Sequence, residues 1–235
     1  DGVNGAKSSQ SQMMTFKAPS QDELIKERNE STDNIKDKMK DAMKMAEDIK
    51  EEIARLKKEL AQKKKVDWSD KEQMKQLLEK NKELLKELEE IKKENEAKAE
   101  KEKEFKKMDE SILEKQKELQ ELMDKLLTPE MKEMLEEMQK MMEEQMKKED
   151  AEKMLEKMDL ENEDIEKQLE RDLEIFKEMD FQMKMQDAID KLDTLQKKQE
   201  DLQEQSEQKE TNTEELEEKQ EELNKEFEDL KEKME

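Results

Sequence analysis

Residues 35–60 have the sequence IKDKMKDAMKMAEDIKEEIARLKKEL, in which an apolar side chain returns at every third or fourth position. The intervals alternate between four and three residues along Ile35, Met39, Ala42, Ala46, Ile49, Ile53, Leu56 and Leu60. This alternation is the a/d pattern of a coiled coil, in which one stripe of a long helix packs against a neighbouring helix. It predicts a helix of almost four heptads with a buried seam.

A second seam follows a break at residues 66–69. Its members lie at the same alternating spacing: Met74, Leu77, Asn81, Leu84, Leu88, Ile91 and Asn95. Leu78 and Leu85 widen this stripe, which favours packing against more than one neighbour. Asn81 and Asn95 occupy a positions, where a polar side chain either fixes the register of the helices or is tolerated close to solvent.

Helix N-cap signals recur along the chain, at Ser20, Ser69, Thr128, Asp150 and Asn162. Ser20 with Glu23, and Ser69 with Glu72, have the spacing of a capping box. From these signals we predict about five helices, joined near residues 64–69, 127–129, 159–163 and 203–213. Because the breaks are short, the helices are expected to fold back as antiparallel hairpins.

Composition divides the chain into four regions. Residues 1–19 contain both glycines and are expected to be the remnant of an upstream β domain or a disordered linker. Residues 20–127 are predicted to form long coiled-coil helices, residues 128–161 methionine-rich helices, and residues 162–235 acidic coiled-coil helices. Within the second region, residues 96–104 (EAKAEKEKE) lack an apolar stripe, which is typical of an exposed helix carrying ion pairs.

Overall composition predicts an elongated all-α protein and excludes several functions. Of the 235 residues, 51% are charged and only 30% hydrophobic, which is too little apolar surface for a globular domain of this length. With no His and no Cys, the usual metal ligands, disulfides and most nucleophile–base pairs are missing, so we predict no enzyme activity, no catalytic residue, no metal and no cofactor. A net charge of −23 argues against nucleic acid, and no apolar run is long enough to span a membrane.

Charge is shared unevenly between distant segments. Residues 36–65 contain eleven basic and seven acidic side chains, whereas residues 200–235 contain five basic and sixteen acidic ones. Opposite signs favour these segments lying side by side, and the alternative is an ordinary solvated surface.

Methionine is abundant, with 20 in the chain and eleven between Met131 and Met185. Thioether clusters can bind copper(I), and they can also form adaptable surfaces for partner helices. Helical spacing favours a third interpretation, a soft packing face. If the face instead receives a partner helix, the candidate residues are Met131, Met134, Met138, Met141, Met142, Met146, Phe176, Met179 and Met183.

Several segments resemble one protein family. The opening DGVNGAKSSQSQMMTFKAPS is similar to the end of an immunoglobulin-like domain in large, uncharacterised envelope proteins of Gram-negative bacteria. The segments VDWSDKEQMKQLLEKNKELLKELEE, LEKQKELQELMDKLL and DLENEDIEKQLERDLEIFKEM resemble the long helical region of the same family. The resemblance implies an internal fragment of a parent with N-terminal transmembrane helices, located in the cell envelope. The family has no known function, so the resemblance implies no catalytic residues.

The expected function is therefore a structural or scaffolding arm that spaces or assembles proteins, without membrane contact of its own. Its partner is expected to be protein, either a second copy or another helical protein. Two alternatives remain open from the sequence. One is a partner-binding module that uses the methionine-rich face within residues 131–185, and the other is an acidic disordered region that folds on binding.

Overall fold

The computed structural model describes residues 20–105, 108–127, 129–143, 146–207 and 213–234. Within these ranges the protein is all-α, as predicted, and contains no strand. Six helices follow one another: α1 (Gln21–Gln62), α2 (Trp68–Phe105), α3 (Glu110–Leu126), α4 (Pro129–Glu143), α5 (Lys148–Glu207) and α6 (Thr213–Met234). Residues 1–19, expected to be a β remnant or a linker, and the expected N-cap Thr128 lie outside the described residues.

The observed start of α1 agrees with the predicted capping box, whereas the start of α2 does not. Ser20 forms the predicted capping box, because its hydroxyl accepts from the Glu23 amide at 3.2 Å and Glu23 accepts from the Ser20 amide at 2.7 Å. The predicted box between Ser69 and Glu72 is wrong. Helix α2 starts two residues earlier, where Asp67 and Asp70 accept reciprocally from each other's amides at 3.0 and 2.9 Å. Two aspartates therefore form the reciprocal N-terminal cap that was expected from a serine and a glutamate.

Other predicted boundaries need correction. Helix α5 continues through residues 159–163, so the break there, the N-cap role of Asn162 and the division between residues 161 and 162 are wrong. Asp150 lies inside the first turn of α5, where its carboxylate accepts from the Lys147 amide at 3.4 Å. A further break, which was not predicted, lies at residues 108–109, where Asp109 caps α3 by accepting from the Ser111 amide at 3.0 Å.

The helices form a four-helix bundle around one core, in which α3 and α4 share one of the four positions. Helix α1 lies against α2 and α5, whereas α3 lies against α2 and α5 from the opposite side and α4 continues along α2. Polar pairs give the directions: Lys92 contacts Asp124 of α3 at 2.5 Å, and Lys82 contacts Gln139 of α4 at 2.6 Å. Helix α2 therefore runs antiparallel to both α3 and α4, which together occupy the fourth position of an up-and-down bundle.

An ion-pair ladder sets the register of α1 against α5. Lys50 contacts Glu166 and Lys57 contacts Asp159, each at 2.6 Å, so seven residues forward on α1 correspond to seven backward on α5. The ladder contradicts the idea that residues 36–65 lie beside residues 200–235. The lysines of α1 instead face carboxylates in the part of α5 that belongs to the bundle.

The C-terminal part of α5 extends past the bundle. Asp22, at the start of α1, lies 4.0 Å from Lys191, and beyond this level α6 accompanies α5. At 1.5 Å per residue, the 60 residues of α5 span about 90 Å. We call residues 188–207 together with α6 the arm. It has its own small core of Ala188, Leu195 and Leu230, with Leu223 packed against them.

Candidate functional site

Both predicted seams lie inside the bundle. Every seam residue of α1 is at most 1% exposed, and the apolar seam residues of α2 are at most 3% exposed. The apolar members belong to one continuous cluster with residues of α3, α4 and α5. The seams therefore pack against helices of the same chain.

The methionine-rich face also contributes to this core. Met131, Met138, Phe176, Met179 and Met183 are buried, and Met134, Met141, Met142 and Met146 are half-buried. All except Met141 belong to the core cluster or pack against it. Eight of these nine candidate partner-face side chains therefore pack in or against the core of the chain itself. A partner helix would have to displace one of the chain's own helices to reach the five that are buried.

A pair of buried asparagines joins the diagonal helices α2 and α5. The Asn162 side-chain amide donates to the Asn81 side-chain oxygen at 2.8 Å and to the Met158 carbonyl at 2.7 Å. The Asn81 amide donates in turn to the Leu77 carbonyl at 3.0 Å. Asn81 is only 6% exposed, so it is not a residue tolerated close to solvent. Its contact across the core fits the other interpretation, a polar residue that fixes register. Asn95 is also buried and approaches the Met123 sulfur at 3.9 Å.

Asp172 lies at a core-facing position of α5 and is fully buried. The Gln168 side chain donates to one of its carboxylate oxygens at 2.8 Å, and the other oxygen has no hydrogen-bond partner among the described residues. Burial disfavours the charged form and raises the pKa of Asp172 to about 6, although the Gln168 hydrogen bond opposes the shift. The sequence pattern did not reveal this position, because 71 acidic residues conceal one that falls on the core face.

A cluster of nearly buried ion pairs lies where the arm leaves the bundle. Arg28 contacts Asp187 at 2.5 Å, with both side chains about one-eighth exposed. Asp180 accepts from Lys36 of α1 and from Lys184 at 3.0 Å. Burial alone would raise the pKa of Asp180, but hydrogen bonds from the two lysines outweigh burial and lower it. These contacts hold the start of α1 against α5 at the base of the arm.

Lys98 corrects the expectation for residues 96–104. Its ammonium lies 2.7 Å from Glu102 and 5.4 Å from the centre of the Phe176 ring, and the residue is only 6% exposed. Burial lowers the pKa of Lys98 despite its carboxylate partner. Lys98 therefore faces the bundle with a paired charge, whereas Ala97, Glu100, Lys101 and Lys103 of the same segment are exposed, as expected. The cation–π contact with Phe176 connects α2 and α5 a second time.

A cleft of about 920 Å³ opens beside this cluster, between the start of α1, the end of α2 and residues 183–190 of α5. Its apolar lining includes Leu24, Ile25, Ala97 and Met183. Part of its charged lining forms ion pairs across the cleft wall, where Arg28 contacts Asp187 and Lys101 contacts Glu27. The cleft lies at the end of the bundle where α3 begins only at Glu110, so three helices line a space that four fill elsewhere.

An exposed apolar stripe runs along α5 on the other side of this junction. Phe181, Met185, Ile189 and Leu192 are 64%, 39%, 47% and 38% exposed. Their spacing of four, four and three residues places them on one face of the helix. Sequence reasoning missed this face because it followed the stronger seam through Phe176, Met179 and Met183. The same spacing rule, applied to the residues left over from the seam, would have found it.

The stripe leads into a groove of the arm. Leu192 lines a cavity of about 360 Å³ between α5 and α6, with Leu195, Gln196 and Gln199 on one side and Leu223 and Phe227 on the other. Phe227 is 48% exposed. We refer to the stripe and Phe227 together as the junction patch: Phe181, Met185, Ile189, Leu192 and Phe227. It crosses from the bundle to the arm without a break in α5.

The described ranges also bear on metal binding and membrane insertion. They contain no group of three or more acidic, His or Cys side chains arranged to hold a metal ion. None of the six helices combines the length and the apolar character required to cross a bilayer. Comparison of the chain with protein-family models, with curated proteins and with solved structures found no match.

Proposed function

We propose that this protein is a non-enzymatic scaffold, in which the four-helix bundle is a base and the arm is a projecting element that holds protein partners at a set distance. The resemblance of its sequence segments to envelope proteins favours a place in a larger assembly of the bacterial cell envelope. In this proposal the bundle positions the arm and the arm makes the contacts.

One observation carries the proposal: α5 passes from the bundle into the arm as a single helix of 60 residues. A continuous helix transmits position, because it lacks the loop that would serve as a hinge. The residues of α5 that follow Lys191 add about 24 Å beyond the bundle. The ion pairs of Asp180 and Asp187 with α1 support the base of this extension.

The burial pattern favours a scaffold over the two alternatives left open by the sequence. A groove on the methionine-rich face would need exposed side chains, but Met138, Phe176 and Met179 are at most 2% exposed. A region that folds only on binding would lack an extensive core of its own, whereas both seams are packed within this chain. The arm and the junction patch remain as the large surface that the core does not use.

The test is to remove the arm from the full-length protein in its native cells. A deletion of residues 188–235 leaves α1 to α4 and the bundle part of α5 in place. We expect proteins that cross-link to the intact protein to be lost from the deletion variant, while circular dichroism still reports a folded bundle. If every cross-linked partner is retained, the arm is not the contact element and the proposal fails.

A second variant tests spacing separately from binding. Lys198 pairs with Glu226, Gln199 with Gln220 and Gln205 with Lys219, which together place residues 201–207 approximately opposite residues 215–221. Deleting both segments removes one heptad from each of the two helices and shortens the arm by about 10 Å, while the junction patch remains. We expect retained binding but a defective assembly. An assembly unaffected by the shorter arm would contradict a spacing role.

A further inference from the structure

We propose that the junction patch is a docking site for a basic amphipathic α-helix of a partner protein. This inference rests on the proposed scaffold function and names the surface and the kind of partner that the function requires. The partner helix would lie along α5 and enter the groove between α5 and α6, converting the two-helix arm into a three-helix arrangement.

The shape of the junction patch suits a docked helix. Phe181 to Leu192 cover eleven residue steps along one side of α5, or about 17 Å, which matches roughly three turns of a docked helix. The groove beyond Leu192 continues this line, since its far wall is Phe227 and Leu223 of α6. Two exposed phenylalanines at opposite ends give the patch large apolar anchors of the kind that dominate interface energetics.

The junction patch differs from a single exposed apolar side chain, which is common on protein surfaces. Leu160 is 58% exposed on the same helix but has no second exposed large apolar residue within two turns on its face. By contrast, four such residues recur at helical spacing between Phe181 and Leu192. Contiguous exposed apolar surface of this kind marks an interaction site, whereas a single exposed leucine is ordinary.

Charge selects the class of partner. The arm carries sixteen acidic and seven basic side chains within residues 188–207 and 213–234. A helix with Lys or Arg beside its apolar stripe would be attracted to this surface, whereas a second copy of this acidic chain would be repelled. Charge complementarity therefore favours a basic partner over self-association.

The probe for the test is a fluorescent peptide of two Leu-Lys-Lys-Leu-Leu-Lys-Leu heptads, titrated with the full chain at about 150 mM salt to screen non-specific attraction. Two control peptides separate the contributions. One replaces Lys by Glu, and the other rearranges the same residues into the alternating order Leu-Lys-Leu-Lys-Leu-Lys-Leu. Of the three peptides, we expect only the Leu-Lys-Lys-Leu-Leu-Lys-Leu probe to bind, with a dissociation constant in the micromolar range that fluorescence anisotropy resolves.

The variant Phe181→Gln/Ile189→Gln removes two patch side chains that lie outside the core. We expect it to weaken peptide binding by at least about tenfold. The matched control Leu160→Gln makes the same chemical change on the same helix and should alter binding by less than about twofold. Circular dichroism of both variants checks that α5 remains helical.

Three results would overturn the inference. The first is equal binding by the wild-type chain and the patch variant, which would mean that bulk charge attracts the peptide. The second is equal binding of the acidic peptide. The third is a dimer in light scattering that Phe181→Gln/Ile189→Gln converts to a monomer, because the patch would then be an interface between copies. Loss of cross-linked partners on arm deletion, together with an insensitive patch, would leave the scaffold function standing and remove only this inference.

Discussion

The Asn162 side-chain amide donates to the Asn81 side-chain oxygen across the bundle core, at 2.8 Å. The two residues belong to α5 and α2, diagonal helices that run in the same direction, and both are buried. A one-turn slip of either helix would break this contact across the core and leave each amide with only its hydrogen bond to a carbonyl of its own helix, Leu77 for Asn81 and Met158 for Asn162. The pair therefore favours one register among the several that uniform apolar stripes allow.

A double-mutant cycle measures this pair. We expect Asn81→Ala and Asn162→Ala each to lower the free energy of unfolding, because each removes the hydrogen bond between the two buried side chains. The double variant should lose less than the sum, with a coupling of about 1 kcal/mol. Urea denaturation of the four proteins gives the values. Additivity within about 0.5 kcal/mol would mean that the contact adds nothing beyond the separate side chains.

Asp172 is expected to destabilise the protein at neutral pH. Its pKa is about 6 in the folded chain against an ordinary value of 3.8, so the folded state binds more protons between these values and stability falls as pH rises through this range. Asp172→Asn should raise the free energy of unfolding by roughly 2–3 kcal/mol at pH 7. The gain should shrink below pH 6 and vanish below about 3.8, as followed by urea denaturation at several pH values. A gain independent of pH would exclude ionisation as its cause.

Asp180→Asn is the matched substitution with the opposite sign. The pKa of Asp180 is lowered by its lysine partners, so its carboxylate stabilises the fold above the ordinary value of 3.8, and this stabilisation is lost as pH falls through the lowered pKa. The variant should lose about 1–3 kcal/mol at pH 7, because Lys36 and Lys184 lose a charged acceptor. The same denaturation series measures both variants. A stabilised Asp180→Asn would show that this pair does not offset the cost of its burial.

Ala46 is fully buried on α1, whereas Ala54 on the same helix is exposed. Ala46→Leu should cost roughly 1–3 kcal/mol, because extra volume in a packed core forces neighbouring helices apart. Ala54→Leu should change stability by less than about 0.5 kcal/mol. Thermal and urea unfolding distinguish the two. Equal effects would indicate that α1 does not pack closely at Ala46.

The arm is expected to open independently of the bundle, since the apolar cluster that its described residues form is small: Ala188, Leu195 and Leu230, with Leu223 packed against them. Leu195→Ala should accelerate amide hydrogen exchange in residues 195–207 and in α6 by at least about tenfold, and leave the amides around Ile49 and Leu84 unchanged. The exposed Leu160→Ala is the control. Uniform acceleration through the bundle would show that the arm and the bundle unfold as one unit.

Local signals were sufficient for much of the architecture. The three-and-four spacing of α1 and α2 identified the buried side chains, because a helix presents such residues on one face whatever its neighbour is. The capping box at Ser20 was predictable for the same reason, since its hydrogen bonds lie within four residues. The N-cap predictions at Asp150 and Asn162 failed because Asp and Asn also occur within helices, and the one at Ser69 failed because Asp67 caps α2 two residues earlier.

Three-dimensional packing settled everything that depends on which stripes meet. Spacing identified a seam on each helix, but it is compatible with many different pairings of the helices. Only the assembled bundle places Lys50 and Lys57 against Glu166 and Asp159. Packing also gave the polar residues their roles, because Asn162, Asp172 and Lys98 resemble dozens of others until a neighbouring helix excludes water from them. The junction patch arises in the same way. Leu192 and Phe227 became neighbours on one surface when α6 folded back along α5, and sequence spacing within one helix contains no information about that contact.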